Sequence, residues 1–159
     1  MSIGIRPATL EDITALVQLN AVVQQLHFDQ RPDQLAPVAP LELAAWFREL
    51  LPQEHCNAWV AVTDTVTVGY LVGVVHSRPA TPFSRSRSWF EVDQLAVDPT
   101  GRNQGVGTAL LTHALSFARA NQIRNIELTT WAFNTPAQAL FQKLGFVEKH
   151  LRYEISSDT

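Results

Sequence analysis

The sequence predicts a single α/β domain over residues 1–159, an α+β arrangement in which helices flank a mixed β-sheet. Three observations predict it: helical periodicity near the N-terminus, β-forming sequence from Asn57 onwards, and a strand–helix–strand–helix succession between Trp89 and Gly145. The length of 159 residues also suits one domain, since domains are most often about 100–150 residues long. With 46% hydrophobic residues, the chain has enough apolar material for an ordinary core.

The N-terminal part of the chain predicts a short strand and two helices. Residues 3–6 read as the strand, and Thr9 is placed to cap a helix whose first turn carries acidic side chains. Apolar residues between Ile13 and Val23 then recur at helical spacing. Because residues 27–40 hold three prolines, they predict a loop, and a second helix is predicted over residues 41–51.

β-forming residues dominate the middle of the chain. Two strands are predicted over residues 59–62 and 66–76, joined by a hairpin turn at Asp64 and Thr65. A third strand is predicted over residues 89–97, where an Asp-Pro turn ends it. These strands supply most of the predicted sheet.

Helices and strands alternate in the remainder. Residues 104–120 carry one apolar stripe and predict a long helix, followed by a strand over residues 125–130. The next helix is predicted to begin at Thr135, where a capping sequence places a proline at the first helical position, and to end at Gly145. Residues 150–156 predict a last strand.

Composition excludes several classes of protein. The net charge of −3, from 12 basic and 15 acidic residues, argues against a broad nucleic-acid-binding face, and the basic cluster Arg85-Ser86-Arg87 predicts only a solvated loop. No apolar run approaches the ~20 residues of a membrane helix, and the N-terminus shows no secretory signal. The single cysteine, Cys56, provides neither a disulfide nor a cysteine metal site. We therefore expect a cytoplasmic protein without a metal, a nucleic-acid partner or a membrane partner.

The segment from Leu95 to Thr108 carries the clearest sign of a ligand site. It is a strand and a turn followed by a glycine-bearing loop that opens the long helix. The first four N–H groups of a helix lack intrahelical partners, and the helix dipole adds about half a positive charge there. Because Gly105 and Gly107 let a ligand approach the backbone, the loop suits a pyrophosphate. Leu110 stands where a dinucleotide fingerprint needs its third glycine, and the chain has no Gly-Lys-Ser/Thr triplet of a Walker loop.

Two blocks of this sequence resemble the GCN5-related N-acetyltransferase (GNAT) family. Arg102-x-x-Gly105-x-Gly107 resembles the central motif of the family, and residues 134–146 resemble its second block, Asn-x-x-Ala-x-x-x-Tyr-x-x-x-Gly-Phe. The opening Ile5-Arg6-Pro7-Ala8-Thr9-x-x-Asp12 is also usual in that family. The resemblance covers essentially the whole chain. It implies an acyl-CoA-dependent N-acetyltransferase with acetyl-CoA as co-substrate.

The resemblance also implies where acetyl-CoA lies. The strand ending at Val97 and the strand over residues 125–130 would splay apart around it, with Leu95, Ala96 and Val97 giving main-chain contacts to the pantetheine arm. A backbone N–H near Leu95 would polarise the thioester carbonyl, and Asn134 would contact the cofactor from the far side. The pyrophosphate would lie against the loop, whose implied contacts are Arg102, Asn103, Gln104, Gly105, Val106, Gly107 and Thr108.

A carboxylate is the expected proton acceptor for the amine. Alkyl ammonium groups have a pKa near 10.4, so at neutral pH the acceptor arrives protonated and needs a base. Strand alternation puts Glu91 and Asp93 on the face opposite Phe90 and Val92, and the family resemblance implies a base at one of these two positions. Glu91 ranks ahead of Asp93, and Glu127 is a third choice. The competing interpretation is that these carboxylates are only solvated strand residues.

Position 141 departs from the family pattern. A tyrosine there protonates the departing thiolate in much of the family, whereas Phe141 has no proton to give. The role is then absent or moved to Tyr70, His76 or Tyr153, among which the sequence does not choose.

Three interpretations of the chain follow. The first is transfer from acetyl-CoA to an amine of a small molecule or peptide by direct attack in a ternary complex. The second is a catalytically weak acyl-CoA-binding module, and the third is an interaction scaffold that does not use CoA. The family resemblance implies that the loop over residues 26–32 selects the acceptor, and the competing interpretation is a plain surface loop. The identity of the acceptor stays open, as does the choice between a monomer and a homodimer.

Overall fold

The computed structural model describes residues 2–158, which form two compact units, one ending at Thr129 and one beginning at Thr130. Within these residues the first unit holds a five-stranded sheet with three α-helices, and the second holds one α-helix. Short 3-10 turns lie at Leu10–Asp12 and Pro99–Gly101. In chain order the elements are β1 (Gly4–Pro7), α1 (Ile13–Gln30), α2 (Pro40–Leu50), β2 (Cys56–Thr63), β3 (Val66–Arg78), β4 (Arg87–Val97), α3 (Val106–Ala120), β5 (Ile126–Leu128) and α4 (Thr135–Lys143).

The sheet is mixed, and its strands lie in chain order from β1 to β5. The first four strands are antiparallel neighbours, while β5 pairs parallel with β4. This confirms the predicted α/β class. Asp64 and Thr65 have positive φ values of 47° and 72°, as a two-residue hairpin turn between twisted strands requires, so the predicted turn is confirmed as well.

Helices cover both faces of this sheet. On one face, called the α1 face below, Leu16 of α1 and Phe47 of α2 are buried against Tyr70 of β3. On the opposite face, called the α3 face, Phe117 of α3 packs against Phe90 of β4 with 5.5 Å between ring centroids. Helices thus cover β4 at Phe90 on the α3 face and at Ala96 on the α1 face.

Some predicted bounds need correction. α1 continues to Gln30 and includes residues predicted as loop, because the first proline of that segment is Pro32. The long helix begins at Val106 and not at residue 104, because the loop holds its left-handed residue, with φ 86°, at Gly105. The N-cap of α4 is Asn134 instead of Thr135.

The strand predicted over residues 150–156 is wrong. No strand is present there, and the side chains of Leu151, Tyr153 and Ile155 are 64%, 85% and 93% exposed. Alternating apolar and polar residues favour an extended chain, but a strand forms only where a neighbouring backbone accepts its hydrogen bonds. The sequence pattern therefore showed a preference for extended structure, but no neighbouring strand pairs with this segment.

A buried carboxylate joins β1 to the start of α1. Asp12 is 5% exposed, and its two oxygens accept hydrogen bonds from both terminal nitrogens of Arg6 at 2.8 Å. The N–H of Thr9 also donates to Asp12 at 2.8 Å. Hydrogen bonding by Arg6, more than any other cause, holds the pKa of the Asp12 carboxyl below its usual value.

Replacing Asp12 by alanine is expected to lower the free energy of unfolding by about 2–3 kcal/mol, because Arg6 and Thr9 lose their shared acceptor. Since the pKa of Asp12 is depressed on folding, this contribution is full at pH 7 and is lost as pH falls through the folded pKa. Urea denaturation at pH 7 and near pH 2 checks both statements. Asp33→Ala, which removes an exposed ion pair with Arg31, is the control and should change little. Wild-type stability in the Asp12 variant at pH 7 would contradict the expectation.

No helix within residues 2–158 combines the length and apolar character needed to span a membrane.

Candidate active site

β4 carries an extra residue at Asp93, where its pairing with β3 skips a position. Val72 pairs with Gln94, whereas Gly73 pairs with Val92, so Asp93 has no direct partner in this ladder. A β-bulge of this kind bends a strand and re-aims the side chains on either side of it. Strand alternation predicts a regular strand through this candidate base and gives no sign of the bulge.

Because of the bulge, even-numbered residues of β4 lie on one face of the sheet before Asp93 and on the opposite face after it. Upstream, Phe90 packs on the α3 face, but downstream Ala96 is buried in the core on the α1 face. Burial and, to a lesser extent, the charge of Asp93 raise the pKa of Tyr70, a residue of the α1 face. The predicted pattern holds upstream, since Phe90 is fully buried while Glu91 is half-buried.

β4 has an open edge just beyond the bulge. β5 pairs only with residues 90–92, and no other strand of the first unit lies on that edge beside Leu95 and Val97. Antiparallel pairs alternate between hydrogen-bonded and non-bonded positions. Because the N–H of Asp98 bonds to the carbonyl of Val68 at 2.8 Å, Leu95 and Val97 fall on non-bonded positions with β3. Their N–H and C=O groups therefore point to the open edge.

The same alternation separates the three predicted main-chain contacts. Ala96 pairs with Tyr70 at a hydrogen-bonded position, so its N–H and C=O groups engage β3. Leu95 and Val97 present theirs to the open edge, and Ala96 does not.

The loop after β4 presents backbone donors that the protein does not use. α3 begins at Val106 with Gly105 as its N-cap, and no side chain caps it. Across the described chain, the N–H groups of Asn103 and of residues 105–108 donate to no protein acceptor. The N–H of Gln104 differs, because it donates to the carbonyl of Gly101 at 3.3 Å. Five donors thus converge in one short segment.

The conformation of this loop also suits an anion. Asn103 and Gly105 have positive φ values of 63° and 86° on either side of Gln104, and such alternation of handedness forms anion-binding concavities. A Cβ built on Gly105 would meet nothing within 4 Å, so the space in front of it is open. Arg102 is exposed beside the loop, and Val106 and Gly107 are buried in the first helical turn. These residues fit a pyrophosphate, bound mainly through main-chain N–H groups.

An aromatic pair on the α1 face holds Glu91. The indole N–H of Trp89 donates to Glu91 Oε2 at 3.1 Å, and His76 Nε2 lies 3.6 Å from the same oxygen. The rings of His76 and Trp89 are stacked, with 5.1 Å between centroids. The side chain of Glu91 is still 38% exposed. One carboxylate oxygen is therefore fixed, and the carboxylate remains accessible.

Two other titratable groups are already engaged. Glu127 forms an ion pair with Arg87, which disfavours it as the base. The hydroxyl of Tyr70 is buried, donates to Gln94 Oε1 at 2.8 Å and accepts from Asn20 at 2.9 Å. Burial raises the pKa of Tyr70, so its proton is held in the core and is poorly placed to replace the family tyrosine.

The second unit contains the other block identified in the sequence. Asn134 is the N-cap of α4, and its Oδ1 accepts a hydrogen bond from the N–H of Ala137 at 3.3 Å. Phe141 is half-buried and contacts Phe146 edge-on, with 5.9 Å between ring centroids. Contact of Asn134 with acetyl-CoA stays a prediction.

The segment expected to select the acceptor is only partly a loop. Its first residues form the last turn of α1, and Arg31 then pairs with Asp33 at 2.8 Å. Within residues 2–158, no three His, Cys, Asp or Glu side chains are arranged to hold a metal ion.

The chain matches the model of the acetyltransferase (GNAT) family over residues 21–146. The chain belongs to this family. The resemblance first read from Gly105, Gly107 and the block at residues 134–146 is thereby confirmed.

The sequence identity to two individual relatives is 36% and 30%. This GNAT member is 36% identical to the uncharacterized protein ML0378 of Mycobacterium leprae over 113 residues, which are 71% of this chain and 29% of that protein. It is 30% identical to mycothiol acetyltransferase of Acidothermus cellulolyticus over 118 residues, 66% of this chain and 36% of that protein. The matches thus span 29% and 36% of the lengths of these two relatives.

A solved structure resembles nearly the whole chain. A tetramutant of the BH1408 protein of Bacillus halodurans superposes with a TM-score of 0.88 at 25% identity, covering 96% of this chain and 99% of that one. The element order of this GNAT member is therefore found in an experimental structure.

Sequence reasoning missed the surroundings of Glu91. Trp89 was not considered as its hydrogen-bond donor, although strand alternation places these two residues on one face. His76 was considered only as an acid, because its closeness to Glu91 depends on the register of β3 with β4. Strand alternation predicts the contact of Trp89 with Glu91, but the contact of His76 with Glu91 follows only from the register of the folded hairpin.

Proposed function

We propose that this GNAT member is an enzyme that transfers the acetyl group of acetyl-CoA to an amine of a small molecule or peptide, by direct attack in a ternary complex. The observation that carries the proposal is the continuity of the open β4 edge at Leu95 and Val97 with the donor-rich loop that opens α3. An extended pantetheine arm suits the edge, and a pyrophosphate suits the loop.

The chain's own groups divide the work of this reaction. Acetyl-CoA supplies a thioester, whose C–S bond breaks as the C–N bond of the amide forms. The N–H of Leu95 faces the open edge and is assigned to stabilise negative charge on the thioester oxygen, a contribution of ~3 kcal/mol in comparable sites. The N–H groups of residues 105–108 are assigned to the phosphates. Because thiols have a reference pKa near 8.5, the leaving group departs readily even without a tyrosine acid.

Glu91 is assigned as the base, with Asp93 as the second candidate. An alkyl amine is protonated at neutral pH and must lose that proton before it attacks. The hydrogen bond from Trp89 fixes Oε2 of Glu91 and leaves Oε1 to accept the proton. Asp93 is exposed at the bulge and adds a negative charge that attracts a cationic amine.

The proposal is tested by thiol release from acetyl-CoA in the presence of a panel of amines, with mass spectrometry of the products. We expect amine-dependent thiol release and an acetylated amine. Calorimetric titration with CoA is run in parallel. CoA binding without transfer to any amine would favour the binding module, and absence of CoA binding would contradict both interpretations.

The second candidate function, a catalytically weak acyl-CoA-binding module, is favoured by Phe141. This residue stands where much of the family has an acidic hydroxyl, and phenylalanine gives no proton. The donor-rich loop would serve such a module equally well, so turnover is what separates the two.

Phe141→Tyr is expected to preserve the fold and not to reduce kcat. The ring is half-buried, and its edge-on contact with Phe146 survives the added hydroxyl. Thermal denaturation and kcat with the best amine of the panel check this. A rise in kcat of about tenfold or more would show that the acid was missing, and a drop in kcat with intact folding would contradict the expectation.

A further inference from the structure

The face of the β3–β4 hairpin that carries Glu91 continues outward into a pair of arginines. Arg78 and Arg87 are direct partners in the antiparallel ladder, so their side chains start from the same face of the sheet. His76 and Trp89 form a partnered pair closer to the centre of the sheet, and Glu91 follows on the same face. Along this face of the hairpin, the carboxylate of Glu91 is therefore followed by the His76–Trp89 ring pair and then by the arginine pair.

The arginine pair is electrostatically unbalanced. Like charges directly opposite each other in an antiparallel pair are destabilising. Arg87 has a counter-charge in Glu127, and its guanidinium is stacked over Trp89 at 4.5 Å from the ring centroid. Arg78 is exposed, and within residues 2–158 no hydrogen bond or ion pair involves its side chain. The donors of one arginine are thus available beside a second arginine that is fixed in place.

The arginine pair lies at the solvent-exposed end of the hairpin. The open cavity of about 370 Å³ beside it is also lined by Ser77 and Ser88, a ladder pair on the opposite face of the strands, so the proposed anion site depends on the two guanidinium groups alone. Guanidinium groups bind carboxylate and phosphate oxygens through paired hydrogen bonds, so both anions match the arginine pair.

We infer that Arg78, together with Arg87, binds a carboxylate or phosphate group of the acceptor, which is therefore an amine with an anionic group at its far end. The inference rests on the proposed function, because it places the reacting nitrogen at Glu91. Four residues separate Glu91 from Arg87, roughly 13 Å at the rise of a strand. Since the Arg87 guanidinium lies over Trp89, two residues nearer to Glu91, the spacing between nitrogen and anion is about 10 Å. The stacked rings of His76 and Trp89 lie beneath the intervening chain.

The test compares amines of one chain length that differ only at the far end: 8-aminooctanoate, 8-aminooctyl phosphate, 8-aminooctanamide and 1,8-diaminooctane. We expect kcat/KM to be about tenfold higher for the two anions than for the amide, through a lower KM at similar kcat, with the diamine poorest. The ratio between the two anions shows whether a carboxylate or a phosphate is preferred.

Arg78→Gln should abolish the advantage of the anions while leaving kcat/KM for 8-aminooctanamide unchanged, which a merely structural role would not do. Arg85→Gln is the matched control, because it removes a charge from the same hairpin outside the ladder pair and should keep the advantage. Calorimetric binding of 8-aminooctanoate to the CoA complex gives a second readout, expected to weaken about tenfold in Arg78→Gln.

Equal kcat/KM for the anions and the amide, or a preference that survives in Arg78→Gln, would overturn this inference and leave the proposed function standing. Transfer to the amide and the diamine alone would do the same. If none of these four amines is acetylated or bound while other amines of the panel are acetylated, the inference fails alone; if CoA binds and no amine of any kind is acetylated, the proposed function fails and the inference fails with it.

Discussion

Glu91→Gln is expected to lower kcat by about 10²–10³-fold at pH 7, because the glutamine cannot accept the proton of the amine. The substitution keeps the size of the side chain, and its carbonyl oxygen can still accept the 3.1 Å hydrogen bond from the indole of Trp89. Position is thereby preserved while basicity is lost. The deficit should shrink as pH rises toward the pKa of the amine, near 10.4, since more of the acceptor then arrives deprotonated. Thiol release measured from pH 6 to 9 with an identified amine gives the profile.

Asp93→Asn is the matched comparison for that experiment. Its side chain is exposed at the bulge, so we expect a higher KM for cationic amines and a smaller loss of kcat than in Glu91→Gln. The reverse ranking would assign the base to Asp93. If both variants keep the wild-type kcat across the whole pH range, the carboxylate assignment is wrong and water is the proton acceptor.

Gly107→Glu is expected to weaken CoA binding by about tenfold or more, equivalent to about 1.4 kcal/mol. The residue lies in the first turn of α3, where unpartnered N–H groups and the helix dipole favour an anion. A glutamate carboxylate there competes for those donors and repels the pyrophosphate. Calorimetric titration with CoA measures the loss.

Two further variants separate charge from bulk at this site. Gly107→Gln adds nearly the same volume at this buried position as Gly107→Glu, but without the charge. The ratio of the CoA affinities of the two variants therefore measures the electrostatic effect alone. Thr108→Glu places a charge on the next, half-buried residue and serves if the Gly107 variants do not fold. Unchanged CoA affinity in a folded Gly107→Glu protein would remove the site from the start of α3.

Local signals in the sequence predicted most of the first unit. Turn chemistry predicts the hairpin at Asp64 and Thr65. Periodicity predicts the long helix that ends at Ala120 and the burial of Phe90 beside the accessible Glu91. The donor-rich loop was also predictable, because glycines that open a helix leave its first N–H groups to a ligand. These features depend on residues close in sequence.

The features that could not be predicted depend on pairing between distant segments. The bulge at Asp93 exists only because β3 and β4 are out of step by one residue. The contact of His76 with Glu91 depends on the same register. The segment over residues 150–156 forms no strand because no neighbouring strand pairs with it, and a sequence pattern does not show whether such a neighbour exists. Alternation specifies which residues share a face, but it does not specify what lies across from them.

The bulge at Asp93 divides β4 into two halves that can diverge at different rates during evolution. Beyond it, Leu95 and Val97 offer main-chain groups, which are the same whichever side chain is attached. Before it, recognition of the proposed acceptor would depend on side chains such as those of Trp89 and Glu91, where a substitution changes the chemistry offered to the acceptor. Selection for a new acceptor can therefore act on the side chains of one half of a single strand, while the main-chain groups proposed to hold the shared co-substrate stay the same.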